Sequence, residues 1–135
     1  MHLRHQKESI ADSDKAINIY NNQWVSSFGT GTKQGSAANN NQTTHNLISE
    51  AHNIRGAAIS ELIGNKDAAI ENYNQAIELN PALAHPYYSR GLDYSAQGKK
   101  ATALKDFQKA ADLYQKQGNT KLCNDTLARI KENQV

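Results

Sequence analysis

One cysteine, no long apolar run and almost no excess of charge mark this 135-residue chain, and each scarcity excludes something. A lone Cys123 cannot build a disulfide framework within the chain, so a reducing, cytoplasmic setting is the expectation. No apolar stretch approaches the roughly 18–20 residues that span a bilayer, so no membrane association is expected. The first residues, MHLRHQKESIADSD, hold no apolar core of a secretory signal. Asn41-Gln42-Thr43 and Asn124-Asp125-Thr126 match the glycosylation pattern, but without a signal peptide neither is expected to carry sugar. Fifteen Lys and Arg stand against 13 Asp and Glu, a net charge of +2. That balance gives no electrostatic ground for a nucleic-acid partner or a charged membrane surface. Hydrophobic residues make up 38%, and the mean hydropathy of −0.77 agrees with so low a share. Asn and Gln supply much of the polarity, and they crowd into residues 18–46, so a polar front half precedes a more ordinary back half.

What is present is a repetition. Residues 64–81 read GNKDAAIENYNQAIELNP and residues 98–113 read GKKATALKDFQKAADL. Gly64 aligns with Gly98, Lys66 with Lys100, Ala69 with Ala103, Tyr73 with Phe107, Ala76 with Ala110 and Leu79 with Leu113, always at an offset of 34. A fixed period in the range of 20–50 residues marks stacked repeats. Within each copy the matched positions step by three and four, which is one face of an α-helix. Each such helix has another before it. Residues 46–63 set Leu47, Ala51, Ile54, Ala58 and Leu62 along a stripe, and residues 84–97 set Tyr87, Gly91 and Tyr94 near one face. Gly64 and Gly98 are natural stops, because glycine takes the left-handed conformation past a helix end at little cost. Pro81 disfavours helix at Asn80 before it. The unit is helix, tight turn, helix, break.

In this form the unit resembles the tetratricopeptide repeat, a 34-residue helical hairpin. Tyr87, Gly91, Tyr94, Gly98, Ala103, Phe107 and Ala110 occupy seven signature positions in the second copy; Gly64, Ala69, Tyr73, Ala76 and Pro81 occupy five in the first. Ala57 stands in the place of Gly91. Ser60 replaces the aromatic Tyr94, Gln115 replaces the closing proline, and Arg55-Gly56 would match Arg90-Gly91 after a shift of one residue. The resemblance covers about residues 50–115. It implies an all-α fold, a right-handed superhelix of hairpins (an α-α solenoid), with repeats at about 50–83 and 84–117. Small residues such as Gly91 and the alanine rows then admit a neighbouring helix, and aromatic rings fill the spaces between layers.

The flanks complete the expected organisation. Residues 119–133 follow Gly118 and carry Leu122, Cys123, Leu127 and Ile130 on one face, which suits a helix capping the end of the 47–135 domain. Asn119 or Thr120 can cap its start. Residues 26–46 read as a flexible polar linker by composition. Residues 16–22, AINIYNN, resemble residues 69–75, AIENYNQ, at an offset of 53. Residues 8–25, within a segment 1–25, are therefore either the second helix of a degenerate upstream half-repeat or an unrelated helix, with Ile10, Ile17, Tyr20 and Trp24 on one face. Whether the chain is complete or a fragment beginning inside a repeat stays open.

Reactive chemistry is not evident. His2 and His5 lack companions at metal-ligand spacing, and His52 and His85 are expected at the surface or as helix caps. Cys123 reads as a small buried hydrophobe. Gly29, Gly31, Lys33 and Gly35 lack the Gly-Lys-Ser/Thr order of a phosphate loop. The acidic residues, Asp93 and Asp106 among them, are expected on solvated faces, and Arg55 and Arg90 to pack their stems while their heads reach water. No enzyme activity, cofactor or metal is expected.

The resemblance implies instead a concave wall formed by the first helix of each hairpin. It places Ala51, Ile54, Ala58, Glu61 and Leu62 there in the first copy, and His85, Tyr88, Leu92, Ser95 and Ala96 in the second. Such a wall, apolar with few charges, suits a peptide or helix of a protein partner. The Lys and Asn that grip a terminal carboxylate in one subclass are absent, since Ile54, Ala58, Tyr88 and Leu92 hold those places. Two repeats fall short of the three or so usually needed for stability, so a homo-oligomer is the alternative, as is cover of the wall by residues 8–25.

Overall fold

The computed structural model describes residues 2–28 and 38–134. They form six helices: α1 (His2–Phe28), α2 (Ala38–Leu62), α3 (Lys66–Leu79), α4 (Ala84–Ala96), α5 (Lys100–Lys116) and α6 (Thr120–Asn133), with no strand among the described residues. Neighbours in sequence pack on one another, α2 on α3 and α4 on α5 as hairpins, with α1 against α2 and α6 against α5.

The boundaries have local causes. Gly64, Gly98 and Gly118 adopt φ of 71°, 79° and 73°, the left-handed region where a Cβ is penalised. Asn65 and Asn119 then cap the next helices, their side chains accepting from the N–H of Ala68 and Leu122 at 3.0 and 3.2 Å. Asn80 ends α3, its N–H still bonded to the Ala76 carbonyl.

The core repeats as the sequence does. Ala69, Tyr73 and Ala76 on α3, and Ala103, Phe107 and Ala110 on α5, are at most 2% exposed. Tyr73 packs with Ile59 and Ile70, and Tyr94 lies against that cluster. Tyr87, Ala110, Leu113 and Tyr114 form a second cluster, on which Leu122 and Cys123 of α6 pack half-buried. Full burial of a ring such as Phe107 is worth about 1.5–3 kcal/mol.

The glycines fix the register of the leading helices. A Cβ on Gly91 would stand 2.7 Å from Phe107 Cε1, and one on Gly56 would stand 2.7 Å from Tyr73 Cε1. Gly56, not Ala57, is therefore the counterpart of Gly91, and Ile59, not Ser60, that of Tyr94. The leading helices repeat at 35 residues and the following ones at 34. The extra residue is absorbed at the first turn. There the Ile59 carbonyl accepts from both Ile63 and Gly64, whereas after α4 the N–H of Gly98 and Lys99 go to Ser95 and Tyr94 separately.

Several expectations need correction. Of residues 26–46, residues 26–28 and 38–46 are helical; the stretch from Gly29 to Ala37 lies outside the described residues. The three glycines of that stretch all fall in the undescribed part, and the Asn, Gln and Thr residues that remain carry no helix breaker. Gln42 Nε2 donates to Asn46 Oδ1 one turn on, at 3.1 Å, and Asn46 in turn accepts from Asn80 on α3 at 2.9 Å. The front helix starts at His2 rather than near residue 8. Ile10 and Ile17 are half-buried, and the side chains of Tyr20 and Trp24 lie outside the described residues. On α6, Thr126 is fully buried while Leu127 is 44% exposed. The Thr126 hydroxyl donates to the Leu122 carbonyl of its own helix, so it enters the interior with its polarity satisfied.

Candidate functional site

The residues singled out for the wall meet different fates. Ala51 and Ala58 are buried, which removes them from any open surface. Ile54, Glu61, His85 and Ala96 are exposed; Leu62, Tyr88, Leu92 and Ser95 are half-buried. Two of them touch α6: Tyr88 OH accepts from Arg129 Nε at 3.4 Å, and Ser95 Oγ donates to Asn133 at 2.6 Å. His85 Nδ1 lies 2.7 Å from the Tyr114 hydroxyl.

A cavity of about 280 Å³ gathers three of them, Glu61, Tyr88 and Leu92. It sits where the two hairpins meet. α2 contributes Ala57, Ser60 and Glu61, α3 contributes Lys66 and Tyr73, and α4 contributes Tyr88, Ser89, Leu92 and Asp93. The polar members are organised around Asp93, which is 5% exposed, a buried carboxylate and not the solvated one expected from the sequence. Ser60 Oγ donates to Asp93 Oδ1 at 2.8 Å; Lys66 Nζ stands 3.4 Å from the same oxygen and donates to Ser60 Oγ at 2.7 Å. The second oxygen, Oδ2, is buried as well. Burial above all, then the Asp93 charge and a hydrogen bond to Asp93, push the Tyr73 hydroxyl well above its ordinary value, so it stays protonated and donates to the carboxylate.

The second polar cluster is structural. Arg90 meets Asp106 through both oxygens, Nε to Oδ2 at 2.8 Å and Nη2 to Oδ1 at 2.7 Å, and Nη1 donates to Asn74 at 2.8 Å. Its guanidinium carbon lies 5.8 and 6.0 Å from the ring centroids of Tyr87 and Tyr94. The Arg90 head is thus held inside the protein, not in water, and Asp106 is buried rather than solvated. Arg55 copies the arrangement. Its Nη1 donates to Asn72 at 3.0 Å, and its Nε lies 2.6 Å from Asp14 of α1. Each arginine therefore ties its own hairpin's second helix to the helix that precedes the hairpin. Asp14 meets Arg55 as Asn74 meets Arg90, an offset of 60 and not 53.

His52 also departs from expectation. It is buried on α2 with Nδ1 3.4 Å from Asn72 Oδ1. Burial first, with the nearby Arg55 adding to it against the Asn72 contact, holds its pKa below the ordinary value. Among the described residues no three His, Cys, Asp or Glu side chains could together hold a metal ion, and no helix is long and apolar enough to cross a membrane.

Stacked helical hairpins with glycine-to-ring crossings define a helical-repeat protein. A family model described as TPR repeat matches residues 63–98, the stretch that holds α3 and α4. The architecture is a TPR-like all-helical stack. Two solved structures are similar to it, "Crystal structure of MamA" and "Crystal structure of MamA protein", each at 24% identity and a TM-score of 0.44 over 68% of this chain. The match spans 62% and 58% of those chains. In general terms, such repeats serve as protein-interaction or assembly scaffolds.

Proposed function

We propose that the chain is a scaffold that holds a segment of a partner protein in the groove between α2 and α4. The observation that carries this reading is the cavity of about 280 Å³ lined by Glu61, Tyr88 and Leu92. It is slightly below the ~300–1,000 Å³ of small-molecule sites, a size that suits an anchoring side chain of a longer ligand. Leu92 and the Tyr88 ring supply apolar surface for such an anchor, in keeping with groove recognition. The test is selection of displayed dodecapeptides on the full chain, followed by binding to Tyr88→Ala and Leu92→Asp variants. Selected peptides should lose at least tenfold in affinity; unchanged binding removes the groove from consideration.

A second reading, self-association, is favoured by Leu47 and Ile54. They lie two turns apart on α2 and are 62% and 47% exposed, an apolar stripe that a second copy could cover. Light scattering across a dilution series separates the two readings. A stable monomer at low micromolar concentration argues against self-association.

A further inference from the structure

We infer that two copies of the chain pair through the outer faces of α3 and α5, the acidic stripe of each copy lying against the basic stripe of the other. None of the side chains involved lines the cavity between α2 and α4, so this surface is separate from the groove, and it is separate from the Leu47 and Ile54 stripe of α2.

Three observations lead there. First, two equivalent helices present opposite charge. Every exposed residue of α3 is Asp, Glu, Asn or Gln, whereas α5 exposes four lysines and a single carboxylate, Asp112. Asp67, Glu71 and Glu78 step by four and then seven residues, and Lys105, Lys109 and Lys116 step alike, so each set forms one stripe along its helix. Both stripes lie away from the buried alanines, Ala69 and Ala76 on α3 and Ala103 and Ala110 on α5. Second, the two helices adjoin. The Arg90 guanidinium donates to Asn74 of α3 and to Asp106 of α5, and Gln117 beyond α5 donates to the Ala82 carbonyl beyond α3 at 3.0 Å. Third, the charges are uncompensated within the chain. Among the described residues, Glu71, Glu78, Lys105, Lys109 and Lys116 join no ion pair. Like charges one turn apart, Asp67 with Glu71 and Lys105 with Lys109, oppose their own helices.

The pattern selects its occupant. A partner of one uniform charge would attract one stripe and repel the other. A second copy satisfies both, because a two-fold contact sets the same patch against itself. A two-fold axis between the helices and parallel to them lays α3 of each copy along α5 of the other. All these charges are exposed, so the attraction is screened by salt.

Sedimentation velocity on the full chain at high micromolar concentration tests this at about 0.01 M and about 1 M salt, where the Debye length is about 30 and about 3 Å. Dimer should form at low salt and dissociate at high salt. Lys105→Glu with Lys109→Glu makes both stripes acidic and should leave the chain monomeric at low salt. It turns the net charge of +2 into a negative charge of the same size, so repulsion between whole molecules does not account for the loss. Adding Glu71→Lys and Glu78→Lys exchanges the two stripes, returns the net charge to its wild-type value and should restore the dimer. A wild-type chain that stays monomeric at low salt overturns the proposal, as does a four-fold variant that is helical by circular dichroism but monomeric. Association that resists salt and the reversals but ends with Leu47→Asp and Ile54→Asp belongs to the apolar stripe, and it overturns this proposal while leaving the second reading standing.

Discussion

Gly91 lies so close beneath Phe107 that an added Cβ would stand 2.7 Å from one ring carbon and 2.9 Å from the next. Glycine in a helix interior loses about 1 kcal/mol of propensity against alanine, so the contact has to outweigh that preference. Gly91→Ala should therefore destabilise the fold by about 1–3 kcal/mol through overpacking. Gly56→Ala should do at least as much, because its Cβ would also meet the Ala69 carbonyl at 3.0 Å, a backbone atom that cannot swing aside. Urea denaturation measures both. Gly91→Ala combined with Phe107→Leu should recover part of the loss, and an equal loss in the double variant would show that the ring is not the obstacle.

The two arginine clusters look alike but should differ in energy. Arg90 and Asp106 are 20% and 7% exposed at their side chains, whereas Arg55 and Asp14 are 35% and 44% exposed. Removing one partner of a buried pair costs about 3–5 kcal/mol, since the other charge is left without compensation. A solvent-screened pair contributes about 0–1 kcal/mol. Asp106→Ala should thus lower the unfolding midpoint severely and Asp14→Ala barely. Comparable losses from the two substitutions would contradict the exposure argument.

These clusters also mark the limit of what the sequence could disclose. The helices of residues 47–135 were legible because alanines and aromatics recur at helical steps and glycines punctuate them. The Arg-Gly dipeptide recurs too, and it was the signal for both the glycine crossings and the arginine clusters. It was hidden by the one-residue difference between the 34- and 35-residue offsets, which puts Ala57 and Ser60 in the wrong places. Asp93 and Asp106 look like ordinary surface acids in sequence, since nothing local announces the Ser60, Lys66 or Arg90 that meets them from another helix. Residues 38–46 read as spacer because they are poor in large apolar groups and rich in Asn, Gln and Thr, yet packing overrides so weak a preference. Of the residues that the resemblance assigns to the wall, Glu61, Tyr88 and Leu92 line one cavity, while the burial of Ala51 and Ala58 depends on neighbouring helices that no local pattern announces.

His52 makes stability depend on pH in a definite direction. Its folded-state pKa lies below the model-peptide value of 6.5, chiefly through burial, so between the two values the unfolded chain binds more protons. The contribution of neutral His52 is complete above about pH 6.5 and is lost as pH falls through the folded-state value. The difference in urea midpoint between the wild-type chain and His52→Gln should therefore narrow on acidification from neutral pH. A difference that stays constant over that interval would mean that His52 titrates alike in both states.

Asn72→Asp should reverse that dependence, and the reason lies in the paired geometry. Asn72 Oδ1 accepts from Arg55 at 3.0 Å and faces His52 Nδ1 at 3.4 Å, while its Nδ2 donates to the Ala68 carbonyl at 2.9 Å. Asp106 occupies the matching place in the second hairpin, so the substitution makes the first hairpin a closer copy of the second. A carboxylate beside His52 favours the imidazolium and lifts its pKa. Once that value rises above the unfolded one, the sign changes: the stabilisation is full below the unfolded value and is lost as pH rises through the folded one. The lost bond to Ala68 should make the variant less stable than wild type at high pH, where the imidazole is neutral. Histidine titration by NMR reads the pKa directly, and a value for His52 that stays below the ordinary range in Asn72→Asp would show that Arg55 alone captures the new charge.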